Sequence, residues 1–144
     1  SSIAGVNAMA GASVYSASKF AVSGFSEALA QEVAGFGIKV TAVQPGAFQT
    51  DFLDPSSAHF ADQGIEDYNA FSEKIVAASN ANNHQQKGDP DKLALALLTL
   101  SNDADVPPRF LAGSDAINMA NSRLATLGAE LQNWENLSRS TDNG

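Results

Sequence analysis

Tyr15 and Lys19 stand four residues apart in the run Tyr15-Ser16-Ala17-Ser18-Lys19, and Ser2 lies thirteen residues before the tyrosine. On an α-helix that spacing puts the phenol and the ammonium on one face, one turn from each other. The pair is equipped for proton transfer. A free phenol, with a reference pKa of about 10, is a poor shuttle near neutral pH because its charged form is scarcely populated. A neighbouring cation favours the phenolate and lowers that pKa, which is the task expected of Lys19. Ser2 is then suited to hold a substrate oxygen by a hydrogen bond while Tyr15 gives or takes the proton.

Tyr and Lys four apart recur by chance on helices, so the surrounding text decides. The run Ser1-Ser2-Ile3-Ala4-Gly5, then Tyr15-Ser16-Ala17-Ser18-Lys19-Phe20-Ala21, then Gln44-Pro45-Gly46 with Thr50 four residues past the glycine, resembles the short-chain dehydrogenase/reductase family. Three motifs fall in that family's order and spacing, strongly over positions 1 to about 52 and loosely beyond. The resemblance implies an α/β fold, the carboxyl-terminal portion of a Rossmann-type doubly wound parallel sheet, with positions 1–144 forming the carboxyl-terminal half of a single NAD(P)-binding domain. It implies catalytic roles for Ser2, Tyr15 and Lys19. Ser1 competes with Ser2, and the thirteen-residue interval to the tyrosine favours Ser2. The cofactor implied is NAD or NADP, with Lys19 on the nicotinamide ribose beside Tyr15, and Pro45, Gly46 and Thr50 lining the nicotinamide pocket. The reaction implied is interconversion of an alcohol and a carbonyl by hydride transfer, with tyrosine as general acid/base. Two other functions share the constellation: an epimerase or dehydratase of the extended relatives, and a non-catalytic binding relative or fragment.

A Gly-x-Gly-x-x-Gly turn between a strand and a helix, which would cradle a dinucleotide pyrophosphate, is absent from these residues. Gly5 and Gly11 are too far apart to supply it. The family's dinucleotide motif and catalytic asparagine are therefore expected upstream of Ser1, and the isolated chain is expected not to turn over. The net charge of −8 argues against nucleic acid as a partner, since phosphates need Lys/Arg-rich surfaces. Apolar runs are short and interrupted, so no membrane span is expected. The chain has no cysteine, which removes disulfides and thiolate metal sites and fits a cytoplasmic protein. His59 and His84 have no acidic or cysteine cluster at ligand spacing, and no metal site is expected.

Ser1 to Gly11 is expected to end a strand and enter a loop of small residues. Ser13 is the expected N-cap of a helix running to about Ala34, with Val14, Ala17, Ala21, Phe25, Ala28, Leu29 and Val33 as its buried stripe. Its small residues would admit a second helix closely, and the resemblance implies a homo-oligomer through this helix, 13–34. Gly35 and Gly37 are expected to end it. Ile38 to Gln44 is β-branched and short, as suits a buried parallel strand, which Pro45 and Gly46 should stop.

The segment 51–88 is irregular, with a helix expected over 65–79 and scattered aromatics. It suits a lid over a substrate, and the family resemblance makes it the variable substrate-binding region. Asp89-Pro90-Asp91 is expected to open a helix with Leu93, Leu97, Leu98 and Leu100 on its buried face. Arg109 to Ala112 is expected to form a last strand, stopped by Gly113. Ser114 or Asp115 is expected to cap a final helix carrying Ile117, Met119, Leu124, Leu127, Leu131 and Trp134. The tail 138–144 is polar and expected to fray.

Overall fold

The computed structural model describes residues 1–60 and 64–143. The part of the expected lid at 61–63 and the last residue of the expected tail lie outside the described residues. The elements, in order, are a 3₁₀ turn Ile3–Gly5, helix α1 Ser13–Val33, strand β1 Ala42–Pro45, helix α2 Asn69–Asn82, helix α3 Pro90–Ser101, strand β2 Arg109–Ala112 and helix α4 Ser114–Arg139, with further 3₁₀ turns at Ala34–Phe36, Asp51–Leu53 and Glu66–Tyr68. This is an α/β arrangement of the Rossmann type.

β1 and β2 pair in parallel, Ala42 opposite Arg109 through Pro45 opposite Ala112. Parallel neighbours need a long crossover, and the chain between Gly46 and Pro108 supplies it. Pro45 holds the last register position rather than stopping short of it, because a proline lacking an N–H fits the end of a strand. The Gly46 N–H still donates to the Ala112 carbonyl at 2.9 Å, and only then does the chain turn away. The expected strand start at Ile38 is corrected: Ile38 is 55 % exposed and pairing begins at Ala42.

The amino-terminal run is a 3₁₀ turn rather than a strand end. Ser2 caps it, its Oγ accepting the Ala4 N–H at 3.2 Å. Ile3 is buried with Ala116 and Ala120 of α4, and Val6, Leu111 and Met119 pack around them. Burying an isoleucine contributes roughly 1.5–3 kcal/mol, so this small cluster is what seats the turn against β2 and α4.

Helix α1 spans the expected range, but its inward face is not the expected one. The N-cap is Ala12, without a side-chain cap, and Ser13 is the first helical residue. Val14 is 83 % exposed and Phe25 68 % exposed, and Ala17, Ala21 and Ala28 are also exposed, whereas Ser16 and Ser23 are buried. The buried residues lie seven apart, two turns, so one helical face is still selected, and it is polar. The cause is its neighbours: this face meets the 3₁₀ turn and the end of β1, where serine hydroxyls find partners. Gly37, at φ +71°, ends the helix through the turn Ala34–Phe36, as a left-handed C′ glycine does.

Asp89 caps α3 as expected, accepting the N–H groups of Asp91 and Lys92 with Pro90 at the first position. On α3, Leu93, Leu97 and Leu100 are half-buried, but Leu98 is 60 % exposed and leaves the expected face. The helix expected over 65–79 begins as the turn Glu66–Tyr68 and continues as α2 to Asn82. Neither Ser114 nor Asp115 caps α4: Gly113, at φ +100°, is its N-cap without a side-chain bond. Helix α4 continues to Arg139, into the expected polar tail. The Arg109 guanidinium pairs with the Glu27 carboxylate, joining β2 to α1. Among the described residues, no helix is long and apolar enough to cross a membrane.

Candidate active site

The expected pair is brought together. Lys19 Nζ lies over the Tyr15 ring, 5.2 Å from its centroid, and both side chains are half-buried on one face of α1. An ammonium at that distance from an aromatic face is attracted by the ring quadrupole. Among the described residues no carboxylate forms an ion pair with Lys19, whose ammonium therefore keeps its donors for another acceptor.

The two serines at the start of the chain divide their work. The Ser1 hydroxyl donates to the Lys19 carbonyl oxygen at 3.0 Å and lies 3.0 Å from Ser23 Oγ. This contact ties the 3₁₀ turn to the turn of α1 that carries Lys19. Ser2 Oγ accepts the Ala4 N–H, which leaves the hydroxyl hydrogen as a donor. Gly5 makes the close approach possible: a Cβ there would stand 2.6 Å from both Ser1 Oγ and Ser23 Oγ and collide with the Lys19 carbonyl.

Pro45 and Gly46 lie at the carboxyl end of β1, the edge where open parallel sheets bind ligands. Asp115, in the first turn of α4, accepts the Ala47 N–H at 2.7 Å, and its carboxylate fills the space that a side chain at Gly46 would need. Thr50 caps the turn Asp51–Leu53, its Oγ1 accepting the Phe52 N–H at 3.4 Å. That turn delivers Phe52 to the tyrosine: the two rings are 5.9 Å apart and tilted 48°. Thus Tyr15 and Lys19 touch directly. Among the described residues Ser2 has no direct bond to either: its neighbour Ser1 bonds the Lys19 carbonyl, while Thr50 is connected through Phe52, two residues on.

The sequence placed four further residues without the contacts they make. Gln44 stands in the Gln44-Pro45-Gly46 motif, Asp115 among the expected caps of the last helix, Phe52 among the aromatics of 51–88 and Ser23 within the expected helix 13–34, and only the fold shows what each holds. One signal was available, a glutamine closing an otherwise β-branched strand. Gln44 is 1 % exposed, with Nε2 donating to Ser23 Oγ at 3.0 Å.

His84 sits at φ +58°, its Nε2 3.9 Å from Asp54 Oδ2, and its carbonyl accepts from Gln49 Nε2 at 3.2 Å. The backbone N–H and the hydroxyl of Ser56 hold the Asp54 carboxyl below its ordinary range, with His84 and Asn83 adding to the effect. Among the described residues there is no cluster of three or more potential metal ligands.

Residues 1–60 match the short chain dehydrogenase family model. The chain is similar to an oxidoreductase of Botryotinia fuckeliana, 34 % identical over 138 residues, covering 96 % of this chain and 50 % of the relative. It is similar to a 3-ketodihydrosphingosine reductase of Bacteroides thetaiotaomicron, 53 % identical over 68 residues, covering 47 % of this chain and 25 % of the relative. Among solved structures it resembles a short-chain dehydrogenase from Streptomyces avermitilis, with TM-score 0.83 and 40 % identity, covering 99 % of this chain and 51 % of that one. The chain spans about half the length of the first of these relatives and of the solved structure. By its motifs, its fold and these likenesses, the chain belongs to the short-chain dehydrogenase/reductase family.

Proposed function

We propose that these residues are the proton-handling side of an NAD(P)-dependent oxidoreductase that interconverts an alcohol and a carbonyl. The observation that carries this reading is the Lys19 ammonium over the Tyr15 ring. The donor set suits a nicotinamide nucleotide: an ammonium in no ion pair among the described residues for ribose hydroxyls, and the Thr50 hydroxyl for a carboxamide, beside the turn at Pro45 and Gly46. Lys19, Tyr15, Pro45, Gly46 and Thr50 are the residues that would hold it. When bound, that cofactor accepts or supplies the hydride.

The chain's own residues handle the proton. In the reducing direction Tyr15 donates its phenolic proton to the carbonyl oxygen, and in the oxidising direction the phenolate takes the hydroxyl proton. Ser2 donates a hydrogen bond to that same oxygen and fixes it toward Tyr15. Lys19 holds its positive charge over the ring, where it offsets the negative charge that develops as the proton leaves. The segment 51–88, through Phe52, forms one wall of the substrate site and sets specificity.

The test is an assay at the nicotinamide absorbance, using an enzyme form that also holds a dinucleotide-binding glycine turn and a panel of alcohols and carbonyls. Tyr15→Phe should lose about 10²–10⁴ in rate. Equal turnover in Tyr15→Phe and the parent, or no turnover with either NAD or NADP across the panel, would sink the assignment. The isolated 144-residue chain should bind NADH only weakly.

The outward face of α1, with Val14 and Phe25 exposed beside Ala17, Ala21, Gly24 and Ala28, supports a homo-oligomer formed with the same helix of a second copy. Phe25→Glu should lower the molecular mass in solution, and an unchanged mass would count against that face.

A further inference from the structure

A buried strand in a parallel sheet is ordinarily aliphatic, yet β1 buries a glutamine where it meets α1. Gln44 Nε2 donates to Ser23 Oγ at 3.0 Å. Ser23 Oγ and Ser1 Oγ each lie 3.0 Å from the Lys19 carbonyl oxygen and 3.0 Å from each other. Two hydroxyl hydrogens serve three contacts, so either both point at the carbonyl or one hydroxyl donates through the other. Both arrangements end on Lys19. Gly5 presses against the same three atoms, where a Cβ would collide. The second amide atom, Gln44 Oε1, has no hydrogen-bond partner among the described residues. An apolar side chain would avoid that cost, so packing alone does not account for the glutamine.

Resting on the oxidoreductase reading of Tyr15 and Lys19, we propose that Gln44 and Ser23 are positioning residues: acting with Ser1, they fix the Lys19 carbonyl and thereby aim its ammonium over the Tyr15 ring. Removing one member of a buried network of this kind leaves the others short of a bond in a low-dielectric interior, so the members hold one another in place. Neither residue touches the reacting atoms. Both act through the peptide of Lys19, holding in place the turn of α1 from which the lysine side chain leaves.

The test compares Ser23→Thr with Ser23→Val, which share shape and branching and differ in the hydroxyl. The first readout needs no cofactor: the ring current of Tyr15 shifts the side-chain proton resonances of Lys19 in nuclear magnetic resonance spectra, and Tyr15→Leu, which removes the ring, identifies them. Ser23→Thr should keep the parent shifts, and Ser23→Val should move them toward those of a free lysine. In an enzyme form that also holds the glycine turn, Ser23→Val should lower kcat by up to about 10²-fold with little change in KM for the alcohol, since a misplacement of about 1 Å can cost that much. Where circular dichroism shows Ser23→Val unfolded, Gln44→Met carries the same comparison. Parent-like Lys19 resonances in a folded Ser23→Val or Gln44→Met variant would overturn the proposal. A moved lysine in a protein without oxidoreductase turnover would overturn only the catalytic reading and leave the positioning role standing.

Discussion

The Phe52 ring packs against the Tyr15 ring, 5.9 Å between centroids at a tilt of 48°. The two come from different stretches of chain, and the joint is made by Thr50, whose hydroxyl oxygen caps the turn that carries Phe52. Phe52 is 59 % exposed, so its free face is presented beside the phenol.

Phe52→Ala should therefore weaken bulky apolar substrates selectively. An aromatic contact of this kind is worth roughly 0.5–1.5 kcal/mol, so kcat/KM should fall up to about tenfold for an aromatic ketone and little for a small aliphatic one. A substrate panel measured on parent and variant checks this, and an equal loss across the panel would remove Phe52 from specificity.

Lys19→Met should weaken the nicotinamide nucleotide in an enzyme form that also holds the glycine turn. The variant keeps the length of the side chain and loses the ammonium that would bond the ribose hydroxyls. A hydrogen bond to a charged group is worth about 1.5–3 kcal/mol, so KM for the nucleotide should rise roughly tenfold to a hundredfold. A parent-like KM would remove Lys19 from cofactor binding.

Gly5→Ala should destabilise the chain by about 1–3 kcal/mol. Two of the atoms its Cβ would meet are short serine side chains already bonded, and the third is the Lys19 backbone carbonyl, so none can swing aside. Urea denaturation measures the loss. A variant as stable as the parent would show that the turn Ile3–Gly5 is free to back away from α1.

Acid should loosen the segment that follows β1. The Asp54 carboxyl is held below its ordinary value of 3.8, chiefly by the Ser56 N–H and hydroxyl. With the folded pKa depressed, its stabilising contribution is fully present above the unfolded value and is lost as pH falls through the lower folded value. Asp54→Asn should therefore flatten the stability curve at pH values below about 4, leaving stability near neutrality slightly reduced. The group lies near the surface, so the effect is small. Hydrogen exchange in residues 54–58, compared across pH, reads it, and identical curves for parent and variant would refute it.

Much of this was legible in the amino-acid string because it depends on local rules. The four-residue step from Tyr15 to Lys19, the cap at Asp89 with Pro90 after it, and the helix-ending Gly37 each follow from backbone geometry within a few residues. The inward face of α1 was not legible. Helical periodicity picks out a stripe of apolar residues, but which stripe faces inward depends on what stands opposite, and opposite this helix stand Ser1 and Gln44. The same limit applies to Asp115, where helix-capping rules point to the start of α4 while the carboxylate reaches across to the Ala47 N–H.

The Phe48–Gly88 bridge closes the base of the long crossover between the strands. Gln49 N–H donates to the Gly88 carbonyl at 2.8 Å and Gly88 N–H to the Ala47 carbonyl at 3.0 Å, so the two feet of the intervening segment are clasped side by side. A clasp at the base makes the region above it modular. Its length and chemistry can be exchanged by recombination or engineering while the paired strands β1 and β2 beneath stay in register.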